Sequence, residues 1–243
     1  MKQYGLIGKK LGHSFSQKYF TEKFEAEGIE GCEYSLFELG HIEEVKDLLQ
    51  KPNLAGLNVT IPYKQEVIPY LDELDETAQA VGAVNVIKPL GHNKWKGFNS
   101  DCLGFRDSLL PWLPNSYPKA LVLGTGGASK AVCYVLEEAG IDYKVVSRNP
   151  EEGQLSYAEL TKTHAEEYKL WINTTPLGMF PKVEAKPDLP YEALGEENYL
   201  YDLVYNPDIT AFMHEGADRG AKVQNGLPML HGQAEAAWAI WNG

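Results

Sequence analysis

KALVLGTGGASKAVCYVLEEAGIDYKVVSR, residues 119–148, decides the fold. An apolar run, Lys119 to Leu123, stops at the glycine turn Gly124-Thr125-Gly126-Gly127-Ala128-Ser129. That turn opens an amphipathic stretch reaching Glu138, and a second apolar run, Tyr143 to Ser147, follows. Strand, glycine turn, helix and strand form the βαβ unit whose first turn holds a dinucleotide pyrophosphate on helix N-terminal N–H groups. Gly124 permits the tight turn, Gly126 lets backbone approach phosphate, and Ser129 is the small residue needed for close packing. A glycine-rich turn in an unliganded fold is the bland competitor, and the completeness of the unit on both sides weighs against it. An NAD site usually carries Asp or Glu about 20 residues past the first glycine. Here the strand tip reads Ser147-Arg148 instead, and an arginine there can stack on adenine or pair with a 2′-phosphate, which favours NADP over NAD.

Outward from this unit, short apolar runs alternate with helical stretches along the whole chain, the pattern of an α/β protein. Before it lie strand-like Gln3 to Gly8, Glu33 to Leu39, Leu54 to Ile61, Ala83 to Ile87 and Trp95 to Phe98. Helical periodicity covers Gln17 to Glu27, His41 to Lys51 and Lys64 to Leu71, and Asp101 caps or opens a helix to Trp112. Pro111, Pro114 and Pro118 mark a break. Beyond residue 148 come strands Leu170 to Asn173, Tyr199 to Val204 and Lys222 to Gln224, with helices Thr210 to Arg219 and Met229 to Trp241. Two domains are expected: residues 1–101 with 228–243, and residues 102–227.

The 243 residues carry 22 Lys and Arg against 34 Asp and Glu, a formal charge of −12, which disfavours attraction to nucleic acid or anionic lipid. Three scattered cysteines form no CxxC pair, and six histidines show no ligand spacing, so neither disulfides nor a metal is expected. The N-terminal stretch lacks a long apolar segment, which predicts a cytoplasmic protein.

Three segments at predicted strand ends are unusually polar: GHSFS at 12–16, NVTIPYK at 58–64 and GFNSD at 97–101. In open α/β sheets the carboxyl edge binds ligands, so these loops are candidates for one pocket. GHSFS is no nucleophile elbow, since Ser16 stands where the second glycine would be.

At these residues the sequence resembles the shikimate dehydrogenase family, along nearly its whole length. The resemblance implies an N-terminal α/β substrate domain with a mostly parallel sheet, a Rossmann-like NADP-binding domain, and reversible NADPH-dependent reduction of 3-dehydroshikimate to shikimate. It makes Lys64 and Asp101 catalytic, Ser14 and Ser16 carboxylate binders, and Asn58, Thr60 and Asn85 ring contacts. GAVN at 82–85, NTTPLGM at 173–179, DLVYNP at 202–207 and GLPMLHGQ at 226–233 continue the match. They imply Tyr205 and Gln233 near the substrate, and Thr174, Met179 and Gly226 near the coenzyme beside Gly124, Thr125, Gly126, Gly127, Ala128, Ser147 and Arg148. Lys10 and Gln17 depart from the usual prolines, and Tyr19-Phe20 from a common His-Asn pair. The second arginine usual after the cofactor strand is missing from Pro150–Gln154.

The residue types suit the reaction. Hydride arriving at a ketone builds charge on oxygen, and a lysine ammonium can stabilise that oxygen and protonate it. Serine hydroxyls at a helix N-terminus can hold a carboxylate, although Ser14 and Ser16 could equally serve as helix caps. Tyr63 and Met179 are as suited to packing as to ligand contact. The competing expectations are an NAD(P)-dependent quinate/shikimate dehydrogenase and a non-catalytic dinucleotide-binding regulator of the same fold. A small-molecule substrate and a monomer or homodimer are expected in either enzyme case.

Overall fold

A computed structural model describes every residue except His13, so His13 of the GHSFS motif lies outside the described residues. In chain order the elements are β1 (Lys2–Gly8), α1 (Phe15–Ala26), β2 (Cys32–Glu38), α2 (Val45–Leu49), β3 (Leu54–Val59), α3 (Tyr63–Glu66), β4 (Glu73–Leu74), α4 (Glu76–Val81), β5 (Val86–Gly91), β6 (Lys94–Phe98) and α5 (Ser100–Leu109). Then follow β7 (Ala120–Leu123), α6 (Gly127–Glu138), β8 (Tyr143–Ser147), β9 (Leu155–Ser156), α7 (Lys162–Glu167), β10 (Leu170–Asn173), β11 (Tyr199–Asp202), α8 (Ala211–Ala217), β12 (Lys222–Gln224) and α9 (Leu227–Asn242). The chain divides into two compact units, Met1–Leu103 with Gln233–Gly243, and Gly104–Gly232.

The first unit holds a six-stranded sheet in the order β2-β1-β3-β5-β6-β4. β1 pairs in parallel with β2 and β3, and β4 with β6, whereas β5 runs antiparallel to both its neighbours. The antiparallel strand arises because β5 and β6 are joined by a hairpin at Gly91-His92-Asn93, where all three residues take positive φ. Strand alternation divides the core: Ile7, Leu57, Val59 and Ile87 pack toward α2, Tyr63 and Val67, while Tyr4, Leu6 and Val86 pack toward α1 and α9. Gly56 makes the docking of α9 possible, since a Cβ there would lie 2.4 Å from the Trp241 ring, whose Nε1 donates to the Ile87 carbonyl at 3.1 Å.

Several helices are shorter than their periodicity predicts. The stretch after His41 gives a 3-10 turn at Ile42–Glu44 before α2. The expected helix from Lys64 to Leu71 is a single turn, α3, then a 3-10 turn at Ile68–Tyr70, because Pro69 has no N–H to continue the ladder. α4 was not legible beforehand; Asp75 caps it by accepting from Ala78 N at 2.8 Å, and Gly82 ends it at φ +66°.

The second unit holds a wholly parallel sheet in the order β12-β11-β10-β7-β8-β9. Renumbered within the unit this is the doubly wound order 6-5-4-1-2-3, whose switch point lies between β7 and β10, where dinucleotides bind. Leu121, Leu123, Trp171, Leu200, Phe212 and Met213 form its core.

Candidate active site

The polar loops of the first unit are tied to one another by side-chain hydrogen bonds. β3 ends at Asn58 and Val59, and Thr60 N donates to the Ile7 carbonyl at 2.9 Å, carrying the chain past β1 into α3. There Tyr63 is a packing residue: it is buried and its hydroxyl donates to the Leu39 carbonyl at 2.7 Å. Its neighbour Lys64 faces the other way, and Nζ donates to Asp101 Oδ2 at 2.7 Å, with both side chains partly exposed. The backbone fixes that lysine, because Val84 N donates to the Lys64 carbonyl at 2.7 Å.

Asp101 is not the cap of α5. Asn99 fills that role, its Oδ1 accepting from Cys102 N at 3.3 Å while its Nδ2 donates to the Ala83 carbonyl at 3.0 Å. With Asn99 capping, Asp101 stands in the first turn, and its carboxylate is engaged by Lys64. Asn, Ser and Asp are all good caps, so the sequence Asn99-Ser100-Asp101 does not say which one is used. Asn85 holds the same helix start: its Oδ1 accepts from Ser100 N at 2.7 Å and its Nδ2 donates to Ser100 Oγ at 3.0 Å. Asn58, Asn85, Asn99 and Ser100 are all buried, and no buried side-chain polar atom among the described residues is left without a partner.

Ser14 does cap α1, accepting from Gln17 N at 3.2 Å, so that helix begins at Phe15 rather than Gln17. Tyr34 of β2 is a residue that sequence reading passed over. Tyr34 donates to Asn58 Oδ1 at 2.7 Å and stacks on Phe20 at 4.8 Å. Burial pushes the Tyr34 phenol far above its ordinary range. Cys102, beside Asp101, has its thiol pushed up to about 12, first by burial and then by the Asp101 charge, which makes it inert as a nucleophile. Gln233 lies in the same unit; two residues on, Glu235 accepts from Tyr19 and from Lys23, the latter at 2.9 Å, so α9 is fastened to α1. Tyr19, where the family usually differs, thus has a structural use.

In the second unit the turn after β7 leaves Thr125, Gly126, Gly127 and Ala128 exposed. Gly126 precedes α6 without any side-chain cap, and a Cβ at Gly126 or Gly127 would meet nothing within 4 Å. Uncapped N–H groups and open space fit a dinucleotide pyrophosphate. Gly124 is held at φ +110° with Thr174 beside it: Thr174 Oγ1 donates to the Leu123 carbonyl at 2.7 Å, and a Cβ on Gly124 would lie 2.9 Å from that oxygen. Ser147 is buried and its Oγ accepts from Asn149 N at 3.2 Å, which shapes the strand tip and leaves Arg148 exposed. Arg148 makes no ion pair among the described residues.

Met179 and Tyr205 are exposed. Gly226 has a different reason to be glycine, since a Cβ there would lie 2.1 Å from the Leu203 carbonyl oxygen. Beneath these loops lies a carboxylate that sequence reading did not single out. Asp202 is fully buried and accepts from Asn173 Nδ2 at 2.9 Å, Thr210 Oγ1 at 2.6 Å and Val204 N at 3.0 Å. Burial raises its pKa to about 6 against the lowering effect of those three donors. Among the described residues no group of three or more His, Cys, Asp or Glu is placed to hold a metal, and no helix is long and apolar enough to cross a membrane.

The family profile described as the shikimate dehydrogenase substrate binding domain matches residues 6–87. A shikimate dehydrogenase (NADP(+)) of Clostridium beijerinckii is 41% identical over 99% of this chain and 92% of its own length. Among solved structures, the shikimate 5-dehydrogenase of Thermus thermophilus in complex with NADP(H) and shikimate is 32% identical with a TM-score of 0.87, covering 100% of this chain and 94% of that one. The quinate dehydrogenase of Corynebacterium glutamicum in complex with NAD is 25% identical with a TM-score of 0.89, at 100% and 94% coverage. With relatives at this level of identity along essentially its whole length, the chain belongs to the shikimate dehydrogenase family.

Proposed function

We propose that the protein catalyses the reversible NADPH-dependent reduction of 3-dehydroshikimate to shikimate. The observation that carries this is the contact of Lys64 Nζ with Asp101 Oδ2 at 2.7 Å, partly exposed beside a lattice of buried amides and hydroxyls. Names and bound ligands of the relatives support the same chemistry. The coenzyme supplies the hydride when bound. Lys64 stabilises the developing alkoxide and delivers the proton to it, and in oxidation it takes that proton back. Asp101 holds the ammonium in place and contacts the ring with Asn58, Thr60 and Asn85, while Ser14 and Ser16 hold the carboxylate and Tyr205 and Gln233 border the substrate.

In this proposal residues 1–101 with 228–243 serve the substrate and residues 102–227 serve NADP. Gly124, Thr125, Gly126, Gly127 and Ala128 cradle the pyrophosphate, Ser147 and Arg148 receive the 2′-phosphate, and Thr174, Met179 and Gly226 border the rest. We place the protein in the cytoplasm as a monomer or homodimer acting on a small molecule, and its net charge of −12 disfavours nucleic acid or anionic lipid as a partner. One observation favours a second reading, an enzyme that also uses NAD: Arg148 is the single cation of its loop, and Glu151-Glu152 follow it. Absorbance at the reduced-nicotinamide band decides, with shikimate or quinate against NADP or NAD. Turnover of shikimate with NADP is expected to exceed the other three pairings, and inactivity with shikimate and both coenzymes would overturn the assignment.

A further inference from the structure

We infer that Tyr34 is a positioning residue for the substrate, acting through Asn58; the inference rests on the substrate site proposed above. Its single phenolic proton is spent on Asn58 Oδ1, at 2.7 Å, an atom that can only accept. That bond fixes which way the Asn58 carboxamide points. With Oδ1 turned toward Tyr34, the NH2 is turned to the other side of the carboxamide, and one of its hydrogens is drawn to the Asn85 carbonyl across a long 3.4 Å. Asn58 therefore serves as a donor, and the ring atom it recognises is an acceptor such as a hydroxyl oxygen.

The phenol is thus a fixed reference for the Asn58 side chain on β3. It is rigid because its ring is clamped, stacked on Phe20 at 4.8 Å and tilted against Trp241 at 6.5 Å. No charge is involved, so the arrangement holds across the physiological pH range.

Tyr34→Phe keeps the ring and removes only the hydroxyl. The KM for shikimate is expected to rise about tenfold, the worth of one neutral hydrogen bond, with kcat within about twofold and NADP affinity unchanged. In an Asn58→Ala background the same substitution should add no further rise. A purely structural tyrosine would lower thermal stability and leave KM alone, which overturns the inference, as would additive effects in the double variant. If Asn58→Ala raises KM while Tyr34→Phe does not, the inference falls and the proposed function stands. If neither changes KM, the substrate site itself is misassigned. As a check independent of any variant, the Asn58 side-chain NH2 resonances of 15N-labelled protein should shift on addition of shikimate, and unmoved resonances would contradict a donor role.

Discussion

The carboxyl edges of the two sheets are built on opposite plans. In the first unit the candidate surface is made of side chains held largely by one another, Tyr34 on Asn58, Asn85 on Ser100 and Lys64 on Asp101, with Asn99 on the Ala83 backbone carbonyl. In the second unit it is made of backbone, an exposed glycine turn with an uncapped helix behind it and one exposed arginine beside it. The polar groups that are buried there, Asn173, Asp202 and Thr210, brace the loops from below. In the proposed function the lattice of side chains reads the shape and hydroxyl pattern of one small ring, and the backbone cradle reads the phosphates common to all dinucleotides.

The contrast is tested most severely at Lys64. General acid–base assistance contributes typically about 10²–10⁴-fold, so Lys64→Ala should lower kcat by that order while NADPH affinity, measured by fluorescence titration, is unchanged. Since Asn99 and not Asp101 caps α5, Asp101→Asn should likewise depress kcat with no loss in thermal unfolding temperature. Near-normal kcat in the lysine variant would show that the lattice positions substrate without performing the proton transfer.

In the second unit the largest effect expected is on stability, and it depends on pH. The folded pKa of Asp202 is raised from the carboxylate value of 3.8 to about 6, so the folded state keeps its proton after the unfolded chain has lost its own. The unfolded state binds fewer protons in that window. The contribution is therefore fully present below about pH 4, declines as pH rises toward about 6, and stays lost above it, to the extent of roughly 3 kcal/mol. Asp202→Asn retains an oxygen for Asn173 and Val204 and abolishes this decline. Urea unfolding of both proteins from pH 4 to 7 measures the difference, and parallel profiles would place the buried proton elsewhere.

How much of this contrast the sequence carried follows from the same two plans. The backbone cradle was legible, because glycine spacing between a strand and a helix is itself the signal, and the switch-point position of GTGGAS in the sheet agrees with it. The lattice was legible through the family resemblance and not through residue spacing. Lys64 and Asp101 stand 37 residues apart, and nothing in their spacing brings them to 2.7 Å. Tyr34 sits in a strand where tyrosine is an ordinary packing choice, and nothing in the run DLVYNP marks Asp202 as buried, so both were missed. The misplaced cap has a similar cause: three consecutive residues could each have capped α5, and only the hydrogen bond of Asn99 selects among them.

In the proposed function Arg148 is the charged side chain by which the second unit tells the two coenzymes apart. Removing a charge-assisted bond costs about 1.5–3 kcal/mol, so Arg148→Ala should raise the KM for NADPH roughly tenfold to a hundredfold and leave that for NADH nearly unchanged. Equal changes with both coenzymes would assign the arginine to adenine stacking and leave the phosphate without a reader.

The smallest effect expected belongs to Ser14, where one hydroxyl has two uses. As the cap of α1 it accepts from Gln17 N at 3.2 Å, and as a proposed carboxylate binder it must donate in the other direction. The two uses are compatible, because a hydroxyl has one proton to give and two lone pairs to accept with. They respond differently to substitution. Glycine at a cap costs only a few tenths of a kcal/mol, whereas alanine costs about 1 kcal/mol. Ser14→Gly should therefore unfold within about 1–2 °C of the parent, Ser14→Ala several degrees lower, yet both should raise the KM for shikimate by the same few-fold factor. If KM instead tracks stability, high in the alanine variant and normal in the glycine variant, Ser14 is a cap alone, and the carboxylate must be held by Ser16 and the N–H groups of α1.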